Sequence, residues 1–421
     1  MRKILLGTTG VVGAALIGMG AAQAQEAPTV RVGGFMQVMY NWVDDDADSG
    51  RAPAGVAGAG TVDRNQGDFR NELEIHVFVT GKAANGLSYG AVIELQNDGF
   101  GGGAGGGIDT DEAYMFVSSP TLGTLRFGDE DNAASIMQVR VPSITGFGPD
   151  GDWDDNILSV ANALTSTGPS LLTGINDGND STKIIYLSPQ FFGFDFGLSY
   201  APTGRSGAEG ERAWTGRTVD VATATTFSSN PNLQRDPLGL DNEISAALRY
   251  RGTFGGVGIA AGFGYQQSDG ASATAAGARA SGRDINAYTV GLNLSAFGLT
   301  VGGEYTWGEY TGVSAGRASL ADGRDDSQHF VLGATYVMGA VSVGVFYGVA
   351  EQDNGTINGV TRTDREQTVW GLGVAYTVAP GLEVFGNYTM MEDTGILLST
   401  ADTTTVSRDA NVFLVGTRLA F

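Results

Sequence analysis

The chain has no cysteine in 421 residues, so neither disulfides nor thiolate metal sites hold it together. Histidine is nearly missing as well, with His76 and His329 alone. A hydrolase would need a nucleophile and a base, and nothing in the sequence pairs either histidine with Ser or Asp. Lysine is confined to Lys3, Lys82 and Lys183. Basic residues number 24 against 46 acidic ones, a formal net charge of −22, which argues against nucleic-acid partners and makes cations the natural company. Beyond the first 25 residues no segment offers the ~18 continuous apolar residues of a membrane helix. There is no fixed-period repeat either, which counts against a secreted β-solenoid or adhesin-like passenger, the competing plan for a glycine-rich acidic chain.

What is present begins with "MRKILLGTTGVVGAALIGMGAAQAQ". Arg2 and Lys3 form a basic n-region, an apolar stretch follows, and Ala22 and Ala24 frame a small-residue cleavage site, the pattern of a secretory signal over 1–24. Residues 25–421 then form one domain, with 24 − 2 = 22 basic and 46 acidic side chains, a charge of 22 − 46 = −24. Glycine is in excess, 66 residues of 421 where average usage is about 7%, so one face of the fold wants small side chains.

Alternation is the dominant pattern. In "VWGLGVAYTV", Trp370, Leu372, Val374, Tyr376 and Val378 alternate with small residues, and "FGFDFGLSY" sets Phe192, Phe194, Phe196, Leu198 and Tyr200 against Gly, Asp and Ser. "VGIAAGFGY", "VSVGVFY" and "EISAALRY" repeat the scheme. Each reads as a strand with one face toward lipid, a signal that hydropathy windows miss because a membrane strand needs only about 9–11 residues. Seven tight turns ("GKAANGL", "SSPTLGT", "SPQFFGF", "RGTFGGV", "LSAFGLT", "VMGAVSV", "TVAPGLE") alternate with long polar stretches at 44–66, 99–109, 130–181, 202–240, 269–283, 312–326, 352–364 and 393–405. Strict alternation predicts an all-β fold: a transmembrane antiparallel up-and-down barrel of about sixteen strands, with short turns at one end and long loops at the other. The terminal "VFLVGTRLAF" puts Phe413, Val415, Leu419 and Phe421 on one face, so the last strand must close against the first, near 29–43, because an open edge does not survive in lipid.

In that order, "VGGFMQVMYNW", "EAYMFVSSPTLGTLRFGDED", "TKIIYLSPQFFGFDFGLSY" and the terminal Phe421 resemble the bacterial general-diffusion porins, trimeric barrels of the Gram-negative outer membrane, and most of all those of alphaproteobacteria. The resemblance spans the whole chain. It implies passive diffusion of small hydrophilic solutes and ions without enzymatic activity or cofactor, a homotrimer, contact with outer-membrane lipid and lipopolysaccharide, and a Phe421 that the barrel assembly machinery reads. It also implies that the third long loop, here 130–181, folds inward and narrows the pore.

Within that loop, "GFGPDGDWDDN" carries Asp150, Asp152, Asp154 and Asp155 around Trp153, and in the family an acidic loop faces basic side chains on the wall, giving a transverse field. Alternation turns Arg70, Glu72, Glu74 and His76 inward from "DFRNELEIHVFV", Arg126 from "GTLRFGDED", and Lys183, Arg249 and Arg251 from their own strands. Two positions depart from the family pattern: Asp129 stands where many relatives have Arg, and Ile185 where a basic residue is usual. With its basic wall thinned, the chain is expected to prefer cations. The alternative within the channels is a substrate-specific pore, such as a sugar channel with an aromatic slide that would draw on Trp153 or Trp214. "DDDADSG" (Asp44 to Gly50) and "NDGND" (Asn176 to Asp180) lack the spaced ligands of an EF-hand, so the loops offer loose calcium binding at most.

Overall fold

In the computed structural model, the residues described are 26–46, 66–97, 108–157, 171–172, 174–175, 180–203, 240–270, 284–309, 326–353, 356–357, 360–361, 363–397 and 405–421. The strands are β1 (Glu26–Asp45), β2 (Gly67–Lys82), β3 (Ser88–Asn97), β4 (Asp109–Ser119), β5 (Gly123–Asp129), β6 (Thr182–Leu187), β7 (Phe194–Thr203), β8 (Leu240–Phe254) and β9 (Val257–Gly270). They continue with β10 (Ile285–Ala296), β11 (Leu299–Glu309), β12 (Ser327–Met338), β13 (Val341–Gln352), β16 (Arg365–Ala379), β17 (Leu382–Leu397) and β18 (Thr405–Ala420). A two-residue ladder, β14 (Thr356–Ile357) with β15 (Val360–Thr361), stands apart from the sheet. The other sixteen strands form one closed barrel in which each neighbours the next along the chain and β1 joins β18.

Closure is antiparallel, with Phe35 opposite Ala420 and Trp42 opposite Phe413. Phe421 completes the seam: its N–H donates to the Gly34 carbonyl and its carbonyl accepts from Gly34 N–H, both at 3.0 Å. Among the described residues, the barrel sheet has no open edge to present to lipid.

Trp370, Leu372, Val374, Tyr376 and Val378 all lie outward and exposed, the lipid face that alternation assigns. Phe192 departs from it: it belongs to the turn before β7, has φ +51° and is fully exposed. The turns are tight where the sequence places them. Gly255-Gly256 and Phe297-Gly298 each have two successive positive φ values (59° and 85°; 53° and 82°), the primed geometry whose twist matches paired strands.

The lumenal face carries an apolar cluster of its own. Val412 and Leu414 point inward and are 1% exposed, in a cluster with Met39, Phe147, Trp153, Phe346, Phe385 and Met391. Phe147 and Trp153 come from the long connection between β5 and β6 and the others from the wall strands β1, β13 and β17, so the apolar core of this barrel lies inside its lumen.

Candidate pore constriction

The β5–β6 connection covers residues 130–181 and is fastened to the wall at many points. It opens with helix α1 (Ala133–Met137), capped by Asn132, whose side chain accepts from Ser135 N–H. Two N–H groups at the start of α1 then donate outward, Ala133 to Ser199 Oγ on β7 (3.1 Å) and Ala134 to Ser245 Oγ on β8 (2.7 Å). Farther along, Asn293 Nδ2 on β10 donates to the Arg140 carbonyl (2.8 Å), and Val141 N–H donates to Glu304 Oε2 on β11 (2.9 Å). Asn387 Nδ2 on β17 reaches the Gly146 carbonyl (2.7 Å), Gln37 Nε2 on β1 reaches Asp152 Oδ2 (2.7 Å), and Leu171 N–H donates to Gln367 Oε1 on β16 (2.8 Å). Such anchors satisfy the backbone groups that an irregular segment would otherwise leave unpaired inside the barrel.

Glycine supplies the sockets. A Cβ at Gly291 would lie 1.7 Å from the Val139 carbonyl oxygen, one at Gly262 2.8 Å from Val139, and one at Gly348 2.5 Å from Leu172. Cβ atoms at Gly371 and Gly373 would lie 2.7 Å and 2.5 Å from the Phe147 ring. The lumenal glycines of β9, β10, β13 and β16 are therefore the spaces into which the loop is pressed. Phe147 also meets Phe346 with ring centroids 5.2 Å apart. Close packing of this kind holds an element in one position.

The four loop aspartates occupy different settings. Asp155 keeps partial exposure and accepts from Arg70 Nη2 on β2 at 2.6 Å. Asp150, also partly exposed, accepts from Arg140 Nη1 at 2.8 Å, and Arg140 Nη2 lies 3.7 Å from Glu304. Asp152 is fully buried against Gln37, and Asp154 is buried at the start of a single 3-10 turn, Asp154–Asn156. Trp153 is buried too, its indole N–H donating to the Pro149 carbonyl at 3.2 Å.

The wall cations are tied down. Arg126 pairs with Glu130 at the loop's root (2.9 Å), and buried Lys183 donates to the Glu130 carbonyl. Arg249 turns to Asp195 on β7 (2.7 Å), as does Arg251 (2.9 Å). Ile185 is buried on the lumenal face, and Asp129 accepts from Thr182 Oγ1. Arg365 pairs with Asp393, and Arg408 pairs with Asp45 across the seam. Arg418 lies over the Phe35 ring at 3.7 Å.

Several of these residues escape sequence reading. Arg140 sits in an irregular segment where alternation says nothing, although it is the cation nearest Asp150. The inward positions of Arg365, Arg408 and Arg418 follow from strand parity once their strands are drawn, but their partners lie up to 363 residues away in sequence. Trp214 lies outside the described residues, as do most of the two calcium-like stretches.

A closed barrel with a lipid-facing girdle and an inward-packed loop defines a transmembrane channel of the porin type. The chain matches the Gram-negative porin family over residues 10–395 and belongs to it. It is similar in fold to the in-vitro folded trimer of OmpT, an outer membrane protein of Vibrio cholerae, at 14% identity and TM-score 0.54, covering 94% of this chain and 100% of that one. An anion-selective porin from Comamonas acidovorans is similar at 16% identity and TM-score 0.54, with the same coverage of 94% and 100%. A mutant porin of Rh. blastica is similar at 18% identity and TM-score 0.50, covering 93% and 100%. A search of curated protein sequences gives no match. The protein is thus an outer-membrane channel, and both its family and its fold are those of channels and not of enzymes.

Proposed function

We propose that the barrel is a general-diffusion pore for small hydrophilic solutes and ions, that it prefers cations, and that its waist lies where residues 130–157 are packed against the wall. One observation carries the preference. The arginines of the described wall each sit against a carboxylate or an aromatic ring, while the whole chain carries 46 acidic residues against 24 basic ones. A transiting anion then meets few uncompensated positive charges, and a cation meets a lumen of negative potential. Asp150 and Asp155, which keep partial exposure, act on the transiting ion; Asp152 and Asp154 serve to hold the loop down. The anion selectivity named for the Comamonas porin belongs to that protein.

Assembly as a homotrimer is part of the proposal, supported by the trimeric form of the Vibrio cholerae neighbour. So are export through the 1–24 signal, recognition of Phe421 by the assembly machinery, and lipid and lipopolysaccharide around the girdle. Planar-bilayer recording under a salt gradient tests the channel. The proposal expects ohmic steps in groups of three and a reversal potential of cation-selective sign. An anion-selective sign would refute the charge assignment, and folded, inserted protein without conductance would refute diffusion.

A further inference from the structure

Lumenal positions of β2 and β3 face one another in a fixed register: His76 lies opposite Glu94, and Glu74 opposite Gln96. Glu74, being two residues from His76, projects from the same face one step along the strand. One ring nitrogen of His76 and one carboxylate oxygen from each glutamate all lie within 4.8 Å of one another. His76 Nε2 contacts Glu74 Oε1 directly and stands 3.6 Å from Glu94 Oε1. The side chains keep 12%, 19% and 13% of their surface for Glu74, His76 and Glu94, so the group borders the lumen.

We infer that Glu74, His76 and Glu94 form a divalent transition-metal site of the zinc class on the lumen wall, which ions in transit can occupy. Zinc bound tetrahedrally through nitrogen and oxygen at about 2.0–2.1 Å has neighbouring ligand atoms about 3.4 Å apart. The 3.6 Å between His76 Nε2 and Glu94 Oε1 is close to that edge, and Glu74 swings outward slightly to complete the triangle. Two carboxylates converging on one imidazole repel each other, and a dication between them turns that repulsion into attraction. The imidazole nitrogen sets the class of ion. Calcium and magnesium favour all-oxygen shells, whereas one histidine with two carboxylates suits zinc, and the lumen supplies water for the fourth position. Arg418, over the Phe35 ring at the residue paired with Glu74, is the positive neighbour that limits affinity.

The test is zinc titration by calorimetry on the tag-free, detergent-folded barrel, with His76→Asn and Glu94→Gln beside it and folding checked by heat-modifiable gel migration. One saturable zinc site per chain is expected, weakened roughly tenfold or more in each variant, with calcium unable to compete. Three results would each overturn the site: no saturable binding by the folded wild type, equal binding by both variants, or calcium binding as tightly as zinc. Calorimetry reads occupancy without current, so its result is independent of whether the diffusion reading survives.

Discussion

Replacing Gly291 by alanine tests whether the loop is seated in glycine sockets. Gly291 lies on lumenal β10 with φ outside the left-handed region, so alanine meets no backbone objection there. The obstacle is the Val139 carbonyl oxygen, 1.7 Å from where the Cβ would be, when contacts below 3.0 Å are essentially never seen. The carbonyl must therefore retreat by at least 3.0 − 1.7 = 1.3 Å, and the wall behind Gly291 leaves it only the lumen to retreat into. That shift strains the adjacent anchors, Asn293 to the Arg140 carbonyl and Val141 N–H to Glu304, set at 2.8 Å and 2.9 Å. Overpacking of this kind costs about 1–3 kcal/mol, too little to unfold the barrel and enough to displace the loop. Gly386→Ala is the control, because its Cβ would meet nothing closer than 3.8 Å. Single-channel recording should show reduced conductance for Gly291→Ala and wild-type conductance for Gly386→Ala. Identical conductance from Gly291→Ala and wild type would refute the socket account.

Further outcomes follow from the same contacts. Phe147→Ala empties the pocket formed with Phe346 and the glycines of β13 and β16, weakens loop docking by about 3–5 kcal/mol, and should raise open-channel current noise. Arg140→Gln removes the cation between Asp150 and Glu304 and should move the reversal potential further toward the cation limit. Deleting Phe421 removes both seam hydrogen bonds to Gly34 and should lower the yield of heat-modifiable folded barrel on refolding in detergent.

How much of this was legible in the sequence depends on period. Strands such as β16 declare themselves because Trp370 to Val378 alternate without a break, and each tight turn carries glycine where positive φ is needed, as at Gly123, Gly256, Gly298 and Gly381. Loop lengths then fix the topology, and terminal Phe421 marks the seam. The constriction is harder because its order is not periodic. That Asp152 is buried on Gln37 while Asp155 meets Arg70 depends on the path of a loop whose contacts run from β7 round to β2. The inward Val412 and Leu414 carry no such signal, because what buries them is Phe147 and Trp153 of the loop, which share their cluster. His76 carried no pairing signal either, since its relation to Glu94 is a matter of cross-strand register.

In the proposed pore, partly exposed acids at the waist set the preference for cations. The reversal potential of Asp155→Asn beside that of Asp152→Asn tests this most directly. Asp155→Asn strips the carboxylate from Arg70, whose Nη2 it holds at 2.6 Å, so it should shift the reversal potential toward anions. Asp152→Asn replaces a carboxylate that is fully buried against Gln37 and should shift it less. An unchanged potential in Asp155→Asn, or a larger shift in Asp152→Asn, would contradict the account.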